Sequence, residues 1–264
     1  MTLSPRHAQA SLRQAIREHQ AQHGKQRREY KQLLQRIPKT LRGFAKRFKE
    51  HERINQNFAL LIVNGRTGRR KAVWLFLYPA FDLDEDPFKL SFYSTHVEFE
   101  PGMLRGLQTI DYPVEISQHA LERAFQRIGS FHWKDVRACL SDMSIYLPFL
   151  PQAYFRLGYK QCVFPANQGN FVGIVDTEKI LLRTFLPHSD HEQSRPMRAR
   201  DALVSAYHAN KDMIEEALVA SDPDAVDAAI DVFQSVLQKQ EFWWLRQPYV
   251  PGVDALKEAF DAPR

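Results

Sequence analysis

One stretch of the chain, ISQHALERAFQRIG from Ile116 to Gly129, groups residues that could handle a phosphate. At about 100° per residue, Leu121, Ala124, Phe125 and Ile128 gather on one side of a helix. His119, Arg123 and Gln126 gather on the other, with Arg127 at their edge. Ser117 is placed to cap the helix start and Gly129 its end. In the first turn the helix dipole disfavours a charged imidazole, and Arg123 one turn later acts the same way. A neutral His119 can take a proton, for instance from a ribose 2′-hydroxyl, as a general base. Arg123 and Arg127 offer planar forks that suit a phosphate and the extra charge of a pentacoordinate phosphorus. Free N–H groups at the helix start add to anion binding. Cleavage of this kind needs no metal and no cofactor. The same spacing also describes the solvated face of an ordinary amphipathic helix, and spacing alone leaves both readings open.

Such a helix must be held by neighbours, and the chain supplies four zones. Residues 4–53 are helical in pattern, broken near Ile37-Pro38 because the residue before a proline avoids the helical region. Beyond the break, Leu41, Phe44 and Phe48 form an apolar stripe in a basic remainder. From Asn57 to Phe99, NFALLIV, KAVWLFLY and KLSFYSTHVEF are β-branched and aromatic runs joined by NGRTG and an acidic DLDEDP turn. They predict an antiparallel three-stranded meander. Residues 111–187 begin with a short strand, YPVEI, followed by the opening helix and a second helix in WKDVRACLSDM. Four strand-like segments complete this zone: AYFRLGY, KQCVFP, NFVGIVD and KILLRTFLP. From about 197 to 245 the pattern is helical again. The expected fold is α+β, an antiparallel sheet core with inserted helices between N- and C-terminal helical segments. Its units are a basic helical arm (1–55), an α+β core (56–187, the meander to 110 and a helix–helix–sheet unit from 111) and an acidic helical tail (188–264).

Composition narrows the classes. The 264 residues carry 44% hydrophobic and 25% charged residues, as folded proteins do, and no apolar run approaches a membrane span. The opening MTLSPRHAQA lacks the apolar core of a secretory signal and resembles an organellar transit sequence only slightly, and the two cysteines, Cys139 and Cys162, sit in apolar patterns. A reducing cytoplasm without a disulfide framework is expected. Net charge is +5, yet residues 1–53 hold 14 Lys/Arg against 4 Asp/Glu. Such a block suits nucleic acid, a solvated helix face, or an acidic partner segment. Met197–Lys239 holds 8 acids and 4 bases, which invites docking of the two ends on each other.

Other groupings are weaker. His188 and His191 with Asp190 and Glu192 have a metal-like spacing but no third ligand cluster. Trp74, Phe76 and Tyr78 alternate on one strand and Phe92 and His96 on the next, which suits base stacking and, more commonly, core packing. Tyr159 and Lys160 stand at a turn where they would contact substrate or serve the turn alone. FWWLRQPYVPG reads as an aromatic anchor for the tail or as a partner surface.

The helix ISQHALERAFQRIG, the second short helix and the strands ending in GIVDTEKILLRTFLP together resemble small bacterial domains of the barnase–EndoU–colicin–RelE fold group. The likeness covers about residues 111–187. It implies a metal-independent ribonuclease of toxin type, with His119 as base, Arg123 and Arg127 as phosphate clamp, and Thr184 of the RTF segment as a positioning hydroxyl. Gln126, Lys160 and Tyr159 would contact substrate. The partners so implied are RNA and a protein antitoxin. A non-catalytic nucleic-acid-binding module and an interaction scaffold are the other readings.

Overall fold

Ser4 and Pro5 start the first helix as the rules of capping require: the Ser4 Oγ accepts the His7 backbone N–H at 3.3 Å, and proline occupies the first helical position, where no N–H is needed. The computed structural model describes residues 2–35, 40–54, 58–64, 70–80, 89–100, 103–188, 194–219 and 222–248, with side-chain placement narrower than this, notably not for 51–88. Helix α1 runs Pro5–Gln35 and α2 Leu41–Ile54. The proposed break at Ile37-Pro38 lies outside the described residues. Ala8 and Leu12 sink to 1% exposure in the core, so the start of α1 is part of the globule. On α2, Phe44 and Phe48 bury as their spacing predicts.

The meander comes next in the chain as β1 (Phe58–Asn64), β2 (Arg70–Ala80) and β3 (Lys89–Glu100), each antiparallel to its neighbour. Strand β4 spans Met103–Ser117, three times the length of YPVEI, and so crosses from the meander into the unit beyond it. It pairs with β3 along its length, with a register shift where Ser91 faces Glu115 and Phe92 faces Tyr112. Pro113 falls in this irregularity, one of the few places in a sheet that tolerates a missing N–H. Past it, Val114–Ile116 pair in parallel with Ile180–Leu182.

Helices α3 (Gln118–Ile128) and α4 (Trp133–Ser141) come next, then a 3-10 turn over Asp142–Ile145. AYFRLGY is not a strand. It lies in helix α5 (Leu150–Arg156) and the turn behind it. Leu150, Ala153 and Tyr154 recur at helical spacing and are all fully buried, and Gly158 at φ 63 ends the segment. Tyr154 keeps its hydroxyl satisfied by bonding both the carbonyl and the N–H of Val163. Strands β5 (Gln161–Ala166), β6 (Gly169–Val175) and β7 (Ile180–Pro187) form as expected. The result is one seven-stranded sheet ordered β1-β2-β3-β4-β7-β6-β5. It is mixed, since β4 and β7 are parallel where an antiparallel sheet was expected. The long helical stretch between them supplies the crossover that a parallel pair needs.

Three helices close the described chain: α6 (Arg195–Ala209), α7 (Lys211–Val219) and α8 (Pro223–Leu237), then a 3-10 segment over Gln240–Arg246. Among the described residues, the main contacts of the basic arm and of the acidic tail are with other elements. Helix α1 packs on α3 and α4, while α8 packs on α5, α6 and α7 and meets Arg156, whose guanidinium lies 2.5 Å from Asp227. FWWL acts as an anchor: Phe242 and Leu245 are buried, and the Leu245 carbonyl accepts the Lys160 N–H. Trp243 instead stays exposed beneath the Arg195 guanidinium. Cys139 and Cys162 are both buried free thiols.

Strand β7 is interrupted by a bulge. Val172 pairs with Thr184 but Gly173 pairs with Leu182, so Arg183 is the extra residue. A Cβ on Gly173 would stand 2.2 Å from the Leu181 carbonyl oxygen and 2.8 Å from the Leu182 Cα. The close backbone approach at the bulge therefore requires glycine. Gly173→Ala is expected to destabilise the fold by about 1–3 kcal/mol or more, as overpacking does. Urea unfolding measures this, and an unchanged midpoint would contradict it.

Candidate functional site

Ser117 ends β4 and caps α3 in the same residue: its backbone is extended, and its Oγ accepts the Ala120 N–H at 3.2 Å. Gly129 closes the helix at φ 74, its N–H bonded to the Phe125 carbonyl. Ala120, Leu121, Ala124 and Phe125 are fully buried, and the Phe125 ring stacks on Trp133 at 6.3 Å. Burying this apolar face turns the polar one outward. His119 is exposed; Arg123, Gln126 and Arg127 are half-buried.

Those four side chains form a connected set. Arg123 donates its Nε–H to His119 Nε2 over a long 3.4 Å and an Nη1–H to Gln126 Oε1 at 2.9 Å. Acceptance at Nε2 requires a neutral ring protonated at Nδ1. Arg127 donates to the backbone carbonyl of Phe185, which ties α3 to β7. On the other flank, the Leu3 N–H bonds the Gln126 carbonyl at 2.9 Å and fixes α1 to the same helix.

The imidazole pKa is pushed below its ordinary value. Partial burial is the largest cause, Arg123 is next, Glu122 opposes, and Arg127 and Arg183 add to the depression. Arg183 was not singled out in the sequence. The family likeness pointed one residue further, to Thr184, and ordinary strand alternation gives no reason to choose between them. The bulge decides it. As the extra residue opposite Gly173, Arg183 is exposed, and its charge reaches His119; Thr184 is half-buried beside it.

The remaining candidates lie elsewhere. Tyr159 is buried at 2% exposure, and its hydroxyl donates to the Leu237 carbonyl at 2.6 Å. The Arg246 guanidinium covers its ring at 5.6 Å. Lys160, exposed, gives its backbone N–H to Leu245 and its carbonyl to Val175. Both residues thus seat the C-terminal segment rather than joining the α3 cluster. Phe92 is wholly buried, and His96 bonds Ser94 at 3.1 Å, so these two serve packing. The side chains of Trp74, Phe76 and Tyr78, the acidic turn and the tract from Ser189 to Glu192 lie outside the described residues. Among the described residues no group of three His, Cys, Asp or Glu is placed to hold a metal ion, and no helix is long and apolar enough to cross a membrane.

Comparison of the chain with models of known families, with curated proteins and with solved structures finds no match in any of the three.

The electrostatic arrangement has a direct readout. In a proton NMR titration His119 is expected to titrate below the ordinary 6.5. Arg183→Gln should move that value upward by removing one cation. A pKa of 6.5 or higher in the unaltered protein would show that the cations do not act on the ring.

Proposed function

We propose that the chain binds RNA, gripping the phosphodiester backbone with Arg123, Arg127 and Arg183 beside His119. One observation carries this reading: Arg123 bonds His119 on α3, and Arg127 ties that helix to β7 two residues from the exposed, bulged Arg183, so guanidinium groups from two elements surround one imidazole. Cations gathered in one place repel each other, and a bound anion offsets that repulsion. Two Arg side chains of α3 and a third raised from β7 by a bulge therefore describe an anion-binding surface better than a solvated helix face. The positive end of the α3 dipole adds to it. The basic first zone, rooted beside this helix through Leu3, extends the positive field for a long polyanion.

The depressed His119 pKa favours a second step, cleavage. His119 accepts the 2′-hydroxyl proton, the 2′-oxygen attacks phosphorus, and the P–O5′ bond breaks. The products are a 2′,3′-cyclic phosphate and a 5′-hydroxyl end whose oxygen takes a proton from the imidazolium. Arg123, Arg127 and Arg183 stabilise the added charge on phosphorus, and Arg127 also holds α3 on β7 through the Phe185 carbonyl. Thr184 adjoins Arg183 and would position the substrate. This is the chemistry that the resemblance to the barnase–EndoU–colicin–RelE group implies for residues 111–187.

Both steps are tested in one experiment, with total RNA in EDTA beside His119→Ala and Arg183→Ala. Binding should weaken steeply with salt, and Arg183→Ala should reduce the slope of log K against log salt by about 1. Cleavage should yield cyclic phosphate ends and fall about 10²–10⁴-fold in His119→Ala. Its rate should drop as pH falls through the depressed pKa, because the protonated ring cannot accept a proton. Binding without cleavage would leave a non-catalytic module. Absence of binding at low salt would overturn the proposal and favour an interaction scaffold.

A further inference from the structure

A cavity of about 470 Å³ opens between β3, β4, the 3-10 turn at Asp142–Ile145, the β5–β6 turn, α6 and α7. None of His119, Arg123, Arg127 and Arg183 lines it. Its volume falls in the range of roughly 300–1,000 Å³ typical of small-molecule sites.

The walls are largely apolar or aromatic, with Ile145, Pro148, Val204 and Leu218 beside the rings of Tyr112 and Tyr207. Several of the polar groups there are already paired, the two tyrosines among them. The Tyr112 hydroxyl bonds Ser94 at 2.7 Å, and the Tyr207 hydroxyl donates to Glu215 at 3.0 Å. Tyr146, Arg200 and Asp142 keep capacity. Tyr146 is only 5% exposed, is fixed by the rings of Tyr207 and Phe233 at 6.0 and 5.9 Å, and lines the cavity with no protein hydrogen-bond partner for its hydroxyl among the described residues. A hydroxyl held in place and open to the cavity can donate to an acceptor on a ligand. Arg200 uses its Nε–H on the Gly169 carbonyl, one Nη2–H on Ala166 and one Nη1–H on Asp201. The guanidinium carries further donors beyond these. Asp142 sits at the wall beside the Asn167 backbone with no cation acting on it, and burial raises its pKa. Asp142 and Arg200 each act on the Tyr146 phenol, and all three line the cavity.

These groups constrain the ligand. A donor edge suits the Asp142 carboxylate, an acceptor edge suits Arg200 and the Tyr146 hydroxyl, and Arg200 is already neutralised by Asp201. A planar heteroaromatic with one donating and one accepting edge meets these demands and lies flat against the tyrosine rings. Guanine has that pattern, with N1–H and an amino group on one edge and O6 and N7 on another, the latter a common target of arginine. We propose that this cavity binds a guanine-type purine nucleoside, its donor edge on Asp142, its acceptor edge on Tyr146 and Arg200, and its base against the tyrosine rings. A nucleoside carries no phosphate, so the site stands apart from the RNA-binding face.

Calorimetric titration of the full chain with guanosine, inosine and adenosine tests this, alongside the near-isosteric Asp142→Asn and Tyr146→Phe. Saturable guanosine binding is expected. Inosine, which lacks the amino group, and adenosine should both bind more weakly. Each substitution should weaken guanosine by about tenfold, the loss of one charge-assisted or buried hydrogen bond. Both variants should keep the unaltered protein's RNA affinity, and Arg183→Ala should keep guanosine binding, so failure of one site is distinct from failure of the other. If a variant loses its folded signal, the ranking of the three nucleosides on the unaltered chain decides. Absence of saturable heat up to the guanosine solubility limit, equal binding of adenosine, or guanosine binding untouched in both folded variants would overturn the proposal.

Discussion

Three residue pairs, Val114 with Ile180 through Ile116 with Leu182, hold the arrangement together. They are the parallel contact between β4 and β7, and they join the meander to the last three strands. Parallel strands end on the same side. One residue past Ile116 is the Ser117 cap of the helix that bears His119, and one residue past Leu182 is Arg183. The helix that bears His119 therefore starts beside Arg183, where β7 continues along β6 to Pro187, because the pairing beneath them is parallel. An antiparallel pair would send them to opposite ends.

The helix that carries the charged side chains is anchored on both flanks by backbone groups. The Phe185 carbonyl takes Arg127, and the Gln126 carbonyl takes the Leu3 N–H, so α3 is bound on one flank by the sheet and on the other by α1. Side chains held by such contacts lose less conformational freedom when a ligand arrives. His119 keeps its exposure in this frame, while its charge state is set by neighbours that the frame positions.

Local signals carried the parts of this fold that are legible in the sequence. The meander shows itself through alternating β-branched and aromatic residues, and α3 through Ser117, Gly129 and a clean apolar stripe. The first half of β4 contains Gly106 and precedes Pro113, and nothing in its own composition marks a strand; the open edge of β3 makes it one. AYFRLGY has few enough residues to fit either period, and the β5 backbone against which Tyr154 packs settles it as a helix. The parallel pair is invisible because its partners are remote in sequence. Arg183 was missed for a related reason: its placement comes from a bulge set by Gly173 on the neighbouring strand.

That remoteness has a consequence for how the chain reaches this state. Everything from α3 through β6 is synthesised between the two halves of the β4–β7 contact. Pairing of such distant segments closes a large loop and is slow compared with hairpin formation. A nascent chain thus presents a completed meander whose outermost strand has an unpaired side, the kind of edge on which strands of other molecules add. The arrival of β7 covers the Val114–Ile116 end of that edge.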